Sequence, residues 1–445
     1  MSRRGSRKLG FWMATALVVG NIIGSGVYLL PASLAPYGRN SLVGWLFTAT
    51  GALLLAAVFA ALGRAFPRDG GPYVFTRAAF GKLAGFVVAW GYWVSVWVGN
   101  AAIATGAVSY TSAFAPWIAS VPGASAEVTI AVVWVLTLVN CWGVRAAGWV
   151  QAVTTVLKLL PLLAVALLGF FYVRSESLAA LATAPLSLDG TTAAATLALW
   201  ALVGFESATV PADKLDDPGR TIPRATMLGT VVTALVCTLA CCMVLLAVPA
   251  AQLATSNAPF ADAARGFWGE TSATLVAIFA AISAYGALNG WILLQGELPF
   301  AMARDGVFPR VFARESSRRT PVFAFVTTSV LVTLLILATL HGTMGQKFEL
   351  FIRVATSLNL VAYLVCSLAL LLLLRRGRLE ARKGTVGLAV AGALGALFSL
   401  WAIAGAGKEA WLWGAALLAA GLPVYALTRR AERTERTERT ERTDG

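Results

Sequence analysis

From residue 11 to residue 428 the chain is a series of long, nearly continuous apolar runs separated by short polar stretches. Runs of this length predict helices that cross a bilayer, because ~20 apolar residues at 1.5 Å each span its hydrocarbon core. Twelve spans are expected, near 11–36, 41–63, 81–114, 126–144, 149–173, 192–212, 225–248, 270–302, 321–341, 348–374, 385–405 and 409–428. Helix is the required form. An open strand in lipid leaves backbone groups unpaired, and barrel strands alternate over about ten residues instead of running continuously apolar. The third and eighth spans exceed the bilayer thickness and should tilt or emerge from it. The expected fold class is therefore an all-α membrane protein. It is organised as a short N-terminus (1–10), spans 1–5 (11–173), spans 6–10 (192–374), spans 11–12 (385–428) and a charged tail (429–445). The tail repeats Glu-Arg-Thr and reads as a passive disordered segment or a frayed helix.

Composition sharpens this picture. Of 445 residues, 58% are hydrophobic and 13% charged, against roughly 25% charged in soluble proteins. A division into about three soluble domains of ~150 residues is thereby excluded. The formal charge of +14 would suggest nucleic acid in a soluble protein. Here the basic residues cluster between apolar runs, so lipid is the expected partner and nucleic acid is not. With a cytoplasmic N-terminus, about 28 of the 35 Lys and Arg fall on the cytoplasmic side and about six on the other. That asymmetry predicts both termini in the cytoplasm. Cys141, Cys237, Cys241, Cys242 and Cys366 lie in or at the ends of apolar segments without a CxxC pair, and His341 stands alone. Neither a disulfide framework nor a metal site is indicated. A phosphate loop is also missing, which disfavours an ATP-driven pump. The apolar stretch after Met1–Lys8 is too long for a cleavable signal.

Candidate chemistry lies at two interruptions. In the first span, Gly20-Asn21-Ile22-Ile23-Gly24-Ser25-Gly26 places three glycines within seven residues. In the sixth, Gly204-Phe205-Glu206-Ser207 is followed by Ala-Thr-Val-Pro211. If spans 1–5 and 6–10 are inverted repeats, these breaks face each other at mid-membrane. Their freed N–H and C=O groups would hold a carboxylate and an ammonium; close helix packing by small residues is the other reading. Glu206 is the acid nearest the centre of an apolar span, where a carboxylate is costly. It serves either as a proton carrier or as a structural hydrogen-bonding group. Lys158, ahead of Pro161 in the fifth span, either snorkels or sets a cation against the first break, where a coupling sodium would otherwise sit. Trp200, Tyr92, Trp93, Asn100 and Trp291 lie near the breaks, and aromatic faces attract cations and close over substrates. The loops at 64–73 and 303–309 read as capped turns or as hinges whose salt bridges change between states.

Several of these segments resemble the amino acid–polyamine–organocation transporters: Asn21-Ile-Ile-Gly24-Ser25-Gly26-Val-Tyr-Leu-Leu-Pro31, Gly70-Gly71-Pro72-Tyr73, Gly204-Phe205-Glu206-Ser207 and Asp217-Pro218-Gly219-Arg220-Thr-Ile-Pro223-Arg224. The likeness covers roughly residues 9–428, and the layout is similar to the bacterial arginine–agmatine antiporter branch of basic amino acid and polyamine exchangers. The resemblance implies a leucine-transporter-like five-plus-five inverted repeat with discontinuous helices 1 and 6, alternating access and often a homodimer. It implies that the loop at Gly24, Ser25 and Gly26 holds the substrate carboxylate. Carbonyls near Ile22 and from Trp200 to Val203, beside Gly204, would take the amino group. Asn100, Ile103 and Ala355 match positions near the side-chain pocket, Trp200 and Trp291 the aromatic gate and stacking residues, and Glu206 the proton-linked acid; Tyr92 and Glu206 are further gate candidates, and Lys158 a second candidate for proton coupling. Two departures stand out. Ala355 replaces a span-10 hydroxyl. Lys158 replaces a small residue and resembles the proton-coupled, broad-specificity permeases of the same superfamily. The expected function is sodium-independent transport of an amino acid or related amine across the bacterial inner membrane, by exchange or with a proton. Arginine/agmatine exchange for acid resistance and a non-transporting amino acid sensor are the alternatives. An enzyme is not expected: there is no metal cluster, no Ser/His/Asp set and no cofactor motif.

Overall fold

The computed structural model describes residues 10–142, 144–173, 185–210, 212, 215–318, 320–379, 384–428 and 430. The charged tail expected to be disordered therefore lies outside the described residues, as does most of the N-terminal segment. Helix α1 (Phe11–Ile22) stops where Ile23 and Gly24 turn to extended backbone, and α2 (Ser25–Leu34) resumes at once. Helix α3 (Arg39–Ala65) follows, then a short α4 (Pro72–Phe80) and the long α5 (Lys82–Ser112). Next come α6 (Ala124–Trp142), α7 (Val144–Leu168) and α8 (Leu188–Leu199). After α8 the chain passes through two 3₁₀ turns, Trp200–Leu202 and Phe205–Thr209. The remaining helices are α9 (Pro218–Ala247), α10 (Pro259–Trp268), α11 (Glu270–Arg304), α12 (Val322–Ala338), α13 (Met344–Arg375), α14 (Thr385–Gly405) and α15 (Lys408–Ala419).

Among the described residues, nine helices are long and apolar enough to cross a membrane; Val322–Ala338 is shorter, and the apolar stretch Leu157–Tyr172 is the latter part of α7 with the 3₁₀ turn that follows it. The sixth expected span is not one helix: α8 unwinds at Trp200. As expected for the eighth span, α11 is long; its 35 residues cover ~52 Å at 1.5 Å per residue. Four short helices among the described residues were not anticipated from the apolar pattern: α4, α10 and the two single-turn helices Trp117–Ser120 and Ala250–Ala254. Proline occupies the start of α4 and α10, where a missing N–H costs nothing.

Helix α5 forms the centre, held between α11 and α13, while α3 packs on α8 and α9. Burial grades outward: 83% of the most apolar window of α5 is covered, against 17% for Lys408–Thr428 at the rim. Lipid is as apolar as leucine, so close packing and interhelical hydrogen bonds must hold the inner helices together. One such chain links four of them. Asn100 on α5 donates to Gln295 on α11 (2.6 Å), Gln295 to Ser329 on α12 (2.9 Å), and Ser329 pairs with Thr137 on α6 (2.7 Å). Bonds of this kind contribute about 0.6 kcal/mol each on average.

Candidate functional site

The end of α1 leaves carbonyl groups without helical partners. Lys158 of α7 answers them: its fully buried Nζ donates to the carbonyls of Gly20 (2.7 Å) and Ile23 (2.9 Å). The same lysine's carbonyl accepts the Tyr28 hydroxyl (2.8 Å), and the Tyr28 carbonyl accepts the Tyr110 hydroxyl (2.8 Å). Both halves of the first span are thus tied to α7, and α2 to α5. At the start of α2 the cap residue is Gly24, and no side chain caps the exposed N–H groups. A helix start of this kind carries partial positive charge and accepts anions.

The second break faces the first. Gly204 has φ +122°, a conformation open to glycine, and a Cβ there would lie 3.1 Å from the backbone of Asn21 and Ile22. The absence of a side chain lets α1 pass against the turn. Two residues on, the fully buried Glu206 turns back into the bundle. Its Oε2 accepts the Gly204 N–H (3.2 Å), and its Oε1 accepts the hydroxyls of Tyr92 on α5 (3.2 Å) and Tyr363 on α13 (3.0 Å).

Between the breaks is a small cleft lined by Asn21, Ile22, Gly24, Gly26, Ile103, Trp200, Val203 and Trp291. Trp291 is fixed by a bond from Nε1 to the Asn21 carbonyl (3.1 Å). Trp200 lies so close to α2 that a Cβ on Gly26 would be 2.7 Å from its Cδ1. Seven of the residues expected from sequence thus meet at the cleft: Ile22, Gly24, Gly26, Ile103, Trp200, Val203 and Trp291. Four others do not line it. Ser25 is fully buried, its side chain packed towards Gly106 of α5, so only its backbone is at the break. Asn100 points to Gln295. Gly204 supports the cleft from behind, and Ala355 packs near Gly99, where the outer edge of the Trp200 indole also lies. Tyr92 and Glu206 form their own cluster with Tyr363; Tyr363 and Gln295 were not singled out from sequence, whereas Asn21 lay within the flagged first break. A hydroxyl in the tenth span, level with one in the third, was the available signal for Tyr363.

The loops flagged beside the second and eighth spans are joined. Arg77 on α4 pairs with Asp305 at the end of α11 (2.7 Å) and also donates to the Tyr73 hydroxyl (2.8 Å). The Gly70 N–H donates to the Val210 carbonyl (3.0 Å), and a Cβ on Gly71, at φ +46°, would strike Thr209. This loop therefore docks directly beneath the Glu206 segment. At the opposite end Arg353 of α13 binds Glu349 and donates to the Tyr37 hydroxyl (3.4 Å). Among the described residues no group of three or more His, Cys, Asp or Glu side chains is placed to hold a metal ion.

Residues 9–426 match the family model described as amino acid permease. The chain is 31% identical over 426 residues to the putrescine transporter PotE of Haemophilus influenzae, covering 94% of this chain and 97% of the relative. It is 36% identical over 351 residues to the cadaverine/lysine antiporter of Escherichia coli K12, covering 77% of each. The putrescine transporter PotE of the same strain is 30% identical over 433 residues, 96% of this chain and 97% of the relative.

Proposed function

The chain belongs to the amino acid permease family, and from that premise we propose sodium-independent secondary active transport by alternating access across the bacterial inner membrane. The substrate class is an amine or amino acid, moved by an antiporter or permease, in keeping with the relatives' names. We assign it twelve spans in a five-plus-five inverted repeat. The support is the pair of interrupted helices, α1–α2 and the turn after α8, which face one another across one cleft. In this reading the N–H groups at the start of α2 hold a carboxylate. Carbonyls near Ile22 and from Trp200 to Val203 hold the amino group, Trp200 and Trp291 close over the substrate, and Glu206 couples the cycle to protons.

The single observation that carries the sodium-independent reading is the Lys158 contact. A side-chain amine already bonds the carbonyls of Gly20 and Ile23, the oxygens that a coupling sodium would need. Uptake into proteoliposomes of the purified chain should match within about twofold in sodium and choline buffers. A tenfold sodium stimulation, ~1.4 kcal/mol of coupling, would overturn it.

A further inference from the structure

Among the described residues the walls of the cleft contain no acidic side chain: they are two isoleucines, a valine, two tryptophans, two glycines and an asparagine. The carboxylate of the second break is already engaged. Glu206 is fully buried and accepts from Gly204, Tyr92 and Tyr363. The acceptors of the first break are engaged too, since Lys158 donates to the carbonyls of Gly20 and Ile23, which flank the cleft residues Ile22 and Gly24. No carboxylate among the described residues pairs with that lysine. What the cleft leaves unmet is therefore the donor side, the uncapped N–H groups at the start of α2.

We propose that this cleft selects an α-amino acid with an uncharged, apolar side chain and excludes aliphatic diamines. The inference rests on the transport reading above and names its substrate. A carboxylate satisfies the α2 donors, and a single ammonium is served by the carbonyls between Trp200 and Val203 at the second break. The side chain then meets Ile103, Trp200 and Trp291, which offer apolar surface. A diamine brings no acceptor for α2 and two ammonium groups, against a wall with no counter-charge and with the lysine amine behind it. Burying a charge without a partner is strongly unfavourable. The tryptophan faces attract cations, but they supply neither the missing carboxylate nor an ion pair. Sites built to hydrogen-bond a given substrate group discriminate strongly against analogues that lack it.

The test is counterflow exchange by the full chain in proteoliposomes. The panel is L-leucine, L-phenylalanine, L-alanine, L-lysine, leucinamide, putrescine and cadaverine. An apolar amino acid should give the lowest half-saturation, with leucinamide and both diamines at least a hundredfold weaker. Half-saturation by putrescine, cadaverine or lysine equal to that of the best apolar amino acid, or within tenfold of it, would overturn the selectivity while leaving transport standing. Failure of every compound to exchange would remove the transport reading and this inference with it.

Discussion

Glu206 receives three hydrogen bonds and, in the arrangement described, gives none. That pattern suits a carboxylate, which only accepts. A proton on Oε2 would confront the Gly204 N–H, and a proton on Oε1 would require a tyrosine hydroxyl to turn and accept. Protonation therefore reorders the hydrogen bonds that join Glu206 to α5, α13 and the turn after α8. Glutamine imitates the protonated acid, one oxygen accepting and one nitrogen donating, but cannot titrate. Glu206→Gln should flatten the dependence of exchange on pH, read from about pH 5 to 8. Glu206→Ala should in addition lower stability by about 1–3 kcal/mol for each donor left unmatched. Rate against pH in proteoliposomes, with thermal unfolding of each variant, reads both effects. An unchanged profile for the glutamine variant would move the proton site elsewhere, with Lys158 next in line. At this scale the sequence was partly legible. A charge among twenty apolar residues is conspicuous, which is why Glu206 and Lys158 stood out. Tyr363 and Gln295 did not, because a hydroxyl or amide in a helix is ordinary. The bond from Tyr363 to Glu206 joins residues 157 positions apart, and no local pattern records that.

The interrupted helices show how an element can be specified by what it lacks. Gly26 has no Cβ, and the Trp200 indole occupies the space one would fill. Gly26→Trp should insert into the membrane normally yet lose substrate binding, since the new side chain displaces Trp200 and blocks the start of α2. Calorimetry on the purified variant should show no binding heat; wild-type affinity would reduce the break to a packing feature. Both breaks were visible in sequence because glycine clusters within apolar runs are few. Helices α4 and α10 were not, because nine and ten residues beside polar loops carry too little apolar pattern to separate from a turn.

For the whole molecule, the apolar pattern marks where the long helices lie but not their continuity. Among the described residues nine helices are long and apolar enough to cross a bilayer; of the other three expected spans, the fifth is the 25-residue α7, the ninth is the 17-residue α12, and the sixth is unwound at Trp200. The unwinding follows from the Gly204 backbone and from contacts with α1, which a hydropathy pattern cannot contain. Orientation rests on charge: with about 28 of the 35 basic residues on one face, both ends of the chain should be cytoplasmic. Green fluorescent protein fused after Gly445 should fluoresce and alkaline phosphatase at the same point should be inactive. The reverse result would invert the topology.

The pair between Arg77 and Asp305 is the most readily disturbed of these contacts. It joins α4 to the end of α11 with both side chains partly in water, and such pairs contribute only ~0–1 kcal/mol. A contact of that size biases an equilibrium about fivefold at most. Dissolved ions weaken it further over a screening distance of ~8 Å at physiological strength. Ionic strength in the fluid bathing that face thus sets how firmly this pair holds α4 to α11: concentrated electrolyte loosens it, and dilution tightens it.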